Sequence, residues 1–142
     1  MTPPVVVVRE ATAFDESSIN ELDIQARLEG TRHRGSQHLF ESLGSFNTRW
    51  SDRKTFRFDA AQVNELIVGF VVVQSRERPL LDQIYVHPQA RGLGIGAALL
   101  KVTVQRYGAE NLDALSLPGD RLTKNLYERA GLKARLIIAS SL

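Results

Sequence analysis

Gly92, Gly94 and Gly96 alternate directly after Arg91 and run into the apolar stretch Ile95, Ala98, Leu99 and Val102. Glycine lets the backbone take positive φ and lets a bulky anion approach the main chain. The first amides of a helix have no internal partner, and the helix dipole favours negative charge beside them. A glycine turn that opens a helix therefore forms an anion site from backbone alone. Arg91 adds a charge-assisted hydrogen bond. The ligand such a turn takes is a phosphate or a diphosphate. The plainer alternatives are a simple connector and, for Arg91, a surface ion pair worth less than about 1 kcal/mol. A connector gains nothing evident from glycines that weaken a helix start.

The nucleoside-triphosphate loop needs Gly-Lys-Ser or Gly-Lys-Thr at the helix start, and no such tripeptide occurs. The dinucleotide fingerprint can be laid on Gly92, Gly94 and Ala97, but the loop leaving Val86 is too long for its tight turn. Asp113 also falls at the start of the following strand rather than at its end. There is no cysteine, which excludes disulfides, thiolate metal sites and cysteine nucleophiles. His33, His38 and His87 lack metal-ligand spacing with one another or with an acidic pair, so no metal is expected.

The elements that position the glycine turn follow from periodicity. Val5 to Val8 is a β-branched run that reads as a first strand reaching Arg9 or Glu10. Asp15 is placed to cap a helix whose apolar positions Ile19, Leu22 and Ala26 carry it to about Leu28, with Gly30 as its stop. A polar loop follows, then a short helix over residues 37–43 with Leu39, Phe40 and Leu43 inward, then an irregular stretch over 44–54. Residues 55–63 and 66–74 read as a hairpin turning at Asn64-Glu65, with Gly69 marking a bulge or a close backbone approach. Residues 80–86 form the strand before the turn, and His87-Pro88 ends it. The helix after the turn runs to about Arg106 and closes at Gly108. A strand over 112–117, a break at Pro118-Gly119, a helix over 121–130 and a last strand over 134–139 complete the chain. Hairpins and helical crossovers together predict an α/β fold on a mixed sheet.

The 142 residues fit one domain, and 43% hydrophobic with 24% charged residues is a globular composition. A formal net charge of +2 with no basic tail implies no nucleic-acid partner. The apolar run near the start is cut short at Arg9-Glu10, so neither a signal peptide nor a membrane span is expected, and a cytoplasmic protein is the economical reading.

The segment around the turn resembles the pyrophosphate loop of the GNAT superfamily of N-acetyltransferases, whose Arg/Gln-x-x-Gly-x-Gly/Ala is matched by Arg91, Gly94 and Gly96. Val86-His87-Pro88 before it is also family-like, and Leu126-Tyr127-Glu128-Arg129-Ala130-Gly131-Leu132 resembles the family's Leu-Tyr-Glu-x-x-Gly-Phe signature, with Leu132 in place of phenylalanine. The resemblance covers residues 80–132 and, before that, only element order. It implies a sheet splayed between the strand before the turn and the strand after the helix. It also implies acetyl-CoA as cosubstrate, with its diphosphate on the amides of Arg91, Gly92, Leu93, Gly94, Ile95, Gly96 and Ala97. The backbone of Ile84, Tyr85 and Val86 would hold the pantetheine. Asp120 stands where the family often has asparagine, and is either a coenzyme contact or a helix cap.

The reaction implied is direct attack of an amine on the thioester, needing one proton off the ammonium and one onto the thiolate. Tyr127 matches the family's usual acid, and a phenol of pKa about 10 is protonated at neutral pH. The plain alternative for Tyr127 is a core position beside Leu126 and Ala130. Asp82, on the same strand as Ile84 and Val86, is the preferred base, acting through water; His33 and His38 lie near the loop that usually shapes the acceptor pocket. A non-catalytic acyl-CoA-binding module is the rival reading. The acceptor is open, and dimers are common in this superfamily.

Overall fold

The computed structural model describes residues 4–117 and 120–134. Five strands lie in the order β1-β2-β3-β4-β5: β1 (Val6–Glu10), β2 (Phe56–Val63), β3 (Leu66–Gln74), β4 (Leu80–Val86) and β5 (Asp113–Ala114). The first four are antiparallel neighbours, and β5 runs parallel to β4, so the sheet is mixed as expected. Asn64 takes the left-handed conformation at φ 56° in the β2–β3 hairpin, as an asparagine in a tight turn can. Both strands that follow carry bulges. Val68 has no partner on β2, beside Gly69, and Asp82 has none on β3.

Helices cover both faces of the sheet. α4 (Ile95–Tyr107) packs Ile95, Leu99 and Leu100 into one core with Val71, Val73 and Leu81. Each such buried aliphatic side chain contributes about 1.5–3 kcal/mol. α5 (Arg121–Arg129) adds Tyr127 to that core. On the opposite face, α1 (Glu16–Gly30) places Ile19 and Leu22 against Phe58, Phe70 and Val72. α2 (Ser36–Leu43) follows, beginning one residue before the predicted start.

Three sequence expectations need correction. The stretch over 44–54 is not irregular: it holds α3 (Phe46–Trp50), whose first turn is capped by Ser45 Oγ accepting from the Thr48 amide at 3.1 Å. Phe46 and Trp50 stack at 5.5 Å between centroids and bury against Phe58. The strand predicted over 112–117 is regular for only two residues, because β5 leaves β4 after the Leu115 amide reaches the Leu81 carbonyl. Asp15 precedes α1 but does not cap it with its side chain; the carboxylate turns back to Arg9 at 2.6 Å and to the Thr12 amide at 2.8 Å. The turn at Pro118-Gly119 and the strand predicted over 134–139, Ala134 apart, lie outside the described residues. Among the described residues no helix is long and apolar enough to cross a membrane.

Candidate functional site

The turn between β4 and α4 has the geometry an anion site needs. Gly92 and Gly94 have φ of 88° and 78°, a region in which L side chains are strained. The third glycine serves a different need. A Cβ on Gly96 would lie 3.2 Å from Leu126 Cδ2, so a side chain there would require Leu126 to give way by a few tenths of an ångström. The Arg91 amide reaches the Pro88 carbonyl at 3.4 Å, and the Ala98 amide opens the regular helical ladder onto Gly94 at 3.0 Å. Between them the amides of residues 92–97 donate to no acceptor among the described residues. These are the orphan donors of a helix start, extended backwards through the glycine turn, at the positive end of the α4 dipole.

The turn faces a cleft of about 1060 Å³ that reaches from α1 and α2 past β4 to α4 and α5. Its wall along β4 is formed by Asp82, Gln83, Ile84, Tyr85 and Val86, just beyond the two residues that pair with β5. The sheet therefore opens in front of the glycine turn. Tyr127 sits at the opening. Its hydroxyl donates to the Leu115 carbonyl at 2.7 Å, while the Leu115 amide still pairs with β4. The phenol thus takes over one hydrogen bond that a continuing sheet would have made. Tyr127 is only 7% exposed, and burial holds its proton well above the ordinary phenol range, with Asp120 and Asp82 adding to the effect.

The bulge in β4 sets Asp82. Because Asp82 has no partner on β3, the simple alternation of side chains fails there, and Asp82 and Gln83 meet the same guanidinium. Arg49 Nη1 donates to Asp82 Oδ1 at 3.2 Å and Arg49 Nη2 to Gln83 Oε1 at 2.6 Å. Gln83 Nε2 in turn donates to Asp23 Oδ1 at 2.7 Å, and Arg27 Nε to Asp23 Oδ2 at 3.0 Å. Burial pushes the Asp82 carboxyl up to about 6, opposed by Arg49 and reinforced by Asp23. Burial lowers the Arg49 pKa, with Asp82 and Asp23 opposing.

Arg91 is held by protein. Its guanidinium forms a fork on Glu29 at 2.7 and 2.9 Å, its Nε donates to the Val86 carbonyl at 3.1 Å, and it lies 5.4 Å from the Tyr85 ring centroid. Tyr85 donates its hydroxyl to the same Glu29 at 2.7 Å, and burial together with that carboxylate pushes the phenol up to about 12. The side chain that the residue pattern aims at a phosphate is thus the rivet between the glycine turn and the end of α1.

The cleft brings together Asp82, Ile84, Tyr85, Val86, Arg91, Gly92, Gly94, Ile95, Gly96, Ala97, Asp120 and Tyr127. Leu93 does not line it, and its side chain is 49% exposed. Asp120 lines the cleft and also caps α5, accepting from the Thr123 amide at 3.2 Å. His33 lines the cleft; His38 does not, and His87 caps the short turn that follows β4 by accepting from the Gln89 amide at 3.1 Å. Sequence reasoning missed Glu29, Arg49 and Gln83. For Arg49 a signal existed: Ser45 as a cap, followed by Phe46, Arg49 and Trp50 at helical spacing. For Glu29 and Gln83 no local pattern marks the partner.

A family model described as an acetyltransferase (GNAT) domain matches residues 54–133. Among solved structures, a ribosomal-protein-alanine N-acetyltransferase from Brucella melitensis biovar Abortus 2308 is 20% identical over 97% of this chain and 97% of its own, with a TM-score of 0.71. A phosphinothricin acetyltransferase from Sinorhizobium meliloti in complex with AcCoA is 22% identical over 89% of this chain and 74% of its own, with a TM-score of 0.69. An aminoglycoside N-acetyltransferase in complex with CoA is 16% identical over 99% of both chains, with a TM-score of 0.69. At these identities the likeness is one of fold. No curated protein matches the chain.

Proposed function

The chain belongs to the GNAT acetyltransferase family, and we propose that, as an acetyl-CoA-dependent acyltransferase, it delivers the acyl group to a primary amine by direct attack. The observation that carries this reading is the run of amides over residues 92–97, unpartnered among the described residues, opening into the same cleft as the diverging ends of strands β4 and β5. In this reading the amides bind the coenzyme's diphosphate, and Lys101 and Arg121 on the cleft wall add positive charge near it. The pantetheine lies along Ile84, Tyr85 and Val86, whose edge toward β5 is free of strand pairing. Amides on that edge are available to polarise the thioester carbonyl.

The acceptor arrives as an ammonium ion and must lose a proton before its nitrogen can attack. Asp82 takes that proton through water; a carboxyl near 6 is ionised at neutral pH yet basic enough to share it. Attack forms the C–N bond and places charge on the carbonyl oxygen. Collapse breaks the C–S bond, Tyr127 supplies a proton to the departing thiolate, and the nitrogen's second proton passes through water to the Tyr127 phenoxide, which restores the phenol. To protonate the thiolate the hydroxyl turns from the Leu115 carbonyl toward the sulfur. Coenzyme release on mixing acetyl-CoA with a panel of amines tests the reading. Tight coenzyme binding without turnover on any amine would replace it with an acyl-CoA-binding module. Stabilisation by acetyl-CoA at a hundred times its dissociation constant should reach about 2.7 kcal/mol, and NADH should give none.

A further inference from the structure

Arg49 is the largest fully buried side chain among the described residues, at 0% exposure. It is carried by α3, a helix of five residues wedged between aromatic rings, and its guanidinium passes the Phe58 ring at 5.9 Å to reach β4. Its Nε has no hydrogen-bond partner among the described residues. Buried ion pairs of this kind are poor sources of stability, since well-packed apolar residues of the same volume serve as well or better. Packing alone therefore does not account for an arginine at this position.

The order within the network points to its role. Asp23 accepts from both Arg27 and Gln83, and Gln83 is fixed at both ends of its amide. Asp82 is the terminal member. One of its oxygens accepts from Arg49 at 3.2 Å, the other has no donor among the described residues, and the residue lines the cleft. Without Arg49 the bulged strand would leave this carboxylate free to rotate in an apolar wall. We propose that Arg49 is a positioning residue for Asp82, a buried guanidinium clamped by Gln83 and Asp23 that presents the Asp82 carboxylate to the acceptor amine. This rests on Asp82 being the base. Asp82 is faced by Arg49 from α3, by Asp23 from α1 with Arg27 one turn beyond, and by Tyr127 from α5.

The opposite charges of Arg49 and Asp23 give the test its sign. The experiment follows kcat/KM against pH with acetyl-CoA and the amine turned over fastest, together with coenzyme affinity. Arg49→Met removes the attraction that favours ionised Asp82, so the acid limb moves to higher pH by about one pH unit or more, and kcat/KM at pH 6 falls about fivefold or more. Coenzyme affinity stays within about twofold. Asp23→Asn removes a like charge and frees Arg49 for Asp82, so the limb moves to lower pH. Arg49→Lys keeps the charge and leaves the limb near that of the wild type. Limbs that stay in place, or that move in the same direction in Arg49→Met and Asp23→Asn, would overturn the proposal. If Arg49→Met does not fold, the near-isosteric Asp23→Asn decides alone, and an unmoved limb counts against it. Asp82→Asn separates the two claims. Loss of the limb there upholds the base, whereas a surviving limb removes Asp82 as base and the role of Arg49 with it.

Discussion

The two sides of β4 solve the problem of holding charge in opposite ways. Toward α4 the site is made of backbone: amides over residues 92–97 have no partners among the described residues, and glycines keep side chains out of the way. Toward α1 and α3 it is made of side chains, with Arg27, Asp23, Gln83, Arg49 and Asp82 linked in sequence by hydrogen bonds. The first side leaves its donors open to the cleft. The second is already neutralised internally, and of its two carboxylates only Asp82 lines the cleft. A helix dipole and orphan amides are fixed partial charges that pH does not touch, whereas the carboxylate is a titrating group. Binding should therefore be insensitive to pH near neutrality where turnover is not.

Substitutions on each side test that division. Tyr127→Phe, at the opening between the strands, should produce the largest change. Turnover falls roughly a hundred- to ten-thousandfold, coenzyme affinity is nearly kept, and stability drops about 1–3 kcal/mol as the Leu115 carbonyl loses its donor. Steady-state kinetics, calorimetric titration and thermal melts read the three, and unchanged turnover would remove Tyr127 as the acid. Gly94→Val forces a branched side chain into φ 78°, at about 1–2 kcal/mol of strain, and displaces the amides. Acetyl-CoA affinity should weaken about a hundredfold, equivalent to about 2.7 kcal/mol, with no shift in the pH profile.

Asp82→Asn should act in the other currency, on pH rather than on affinity. The native carboxyl sits at about 6 against an ordinary 3.8, so the folded protein holds a proton that the unfolded chain has released. Its contribution to stability is thus present at low pH and is lost as pH rises from about 4 through about 6. Asparagine should flatten that part of the stability profile in chemical denaturation and remove the acid limb of turnover. Glu29→Gln should have the smallest effect. The pair with Arg91 is partly exposed, at 34% and 24%, so breaking it changes stability by less than about 1 kcal/mol in a denaturant titration. A larger loss would mean that the rivet between α1 and the glycine turn holds the cleft in shape.

The same contrast explains what could be read from the sequence. The glycine turn is local: Arg91, Gly92, Gly94 and Gly96 lie side by side, and their backbone needs are written in their residue types. The strands β1 to β4 and the helices α1, α4 and α5 follow from periodicity for the same reason. The network on the other face joins residues 23, 49, 82 and 83, which no spacing rule connects, and its geometry depends on a bulge at Asp82 that alternation does not foresee. β5 is shorter than the predicted strand because splaying is a tertiary event; Leu112 and Ala114 on one face and Leu115 and Leu117 on the other supply enough apolar residues for a longer strand. Arg91 lines the cleft as its place beside the glycines suggests, but its pairing with Glu29 is illegible in the sequence because Glu29 lies far away along the chain.

The central claim is that the amides of the glycine turn receive the coenzyme's diphosphate, and amide-resolved NMR during titration with coenzyme A tests it most directly. The account predicts that the backbone amides of Gly92, Gly94 and Gly96 move downfield and gain protection from exchange in step with binding, ahead of those on α1 and α3. Binding of coenzyme A that leaves those three amides unmoved would contradict it.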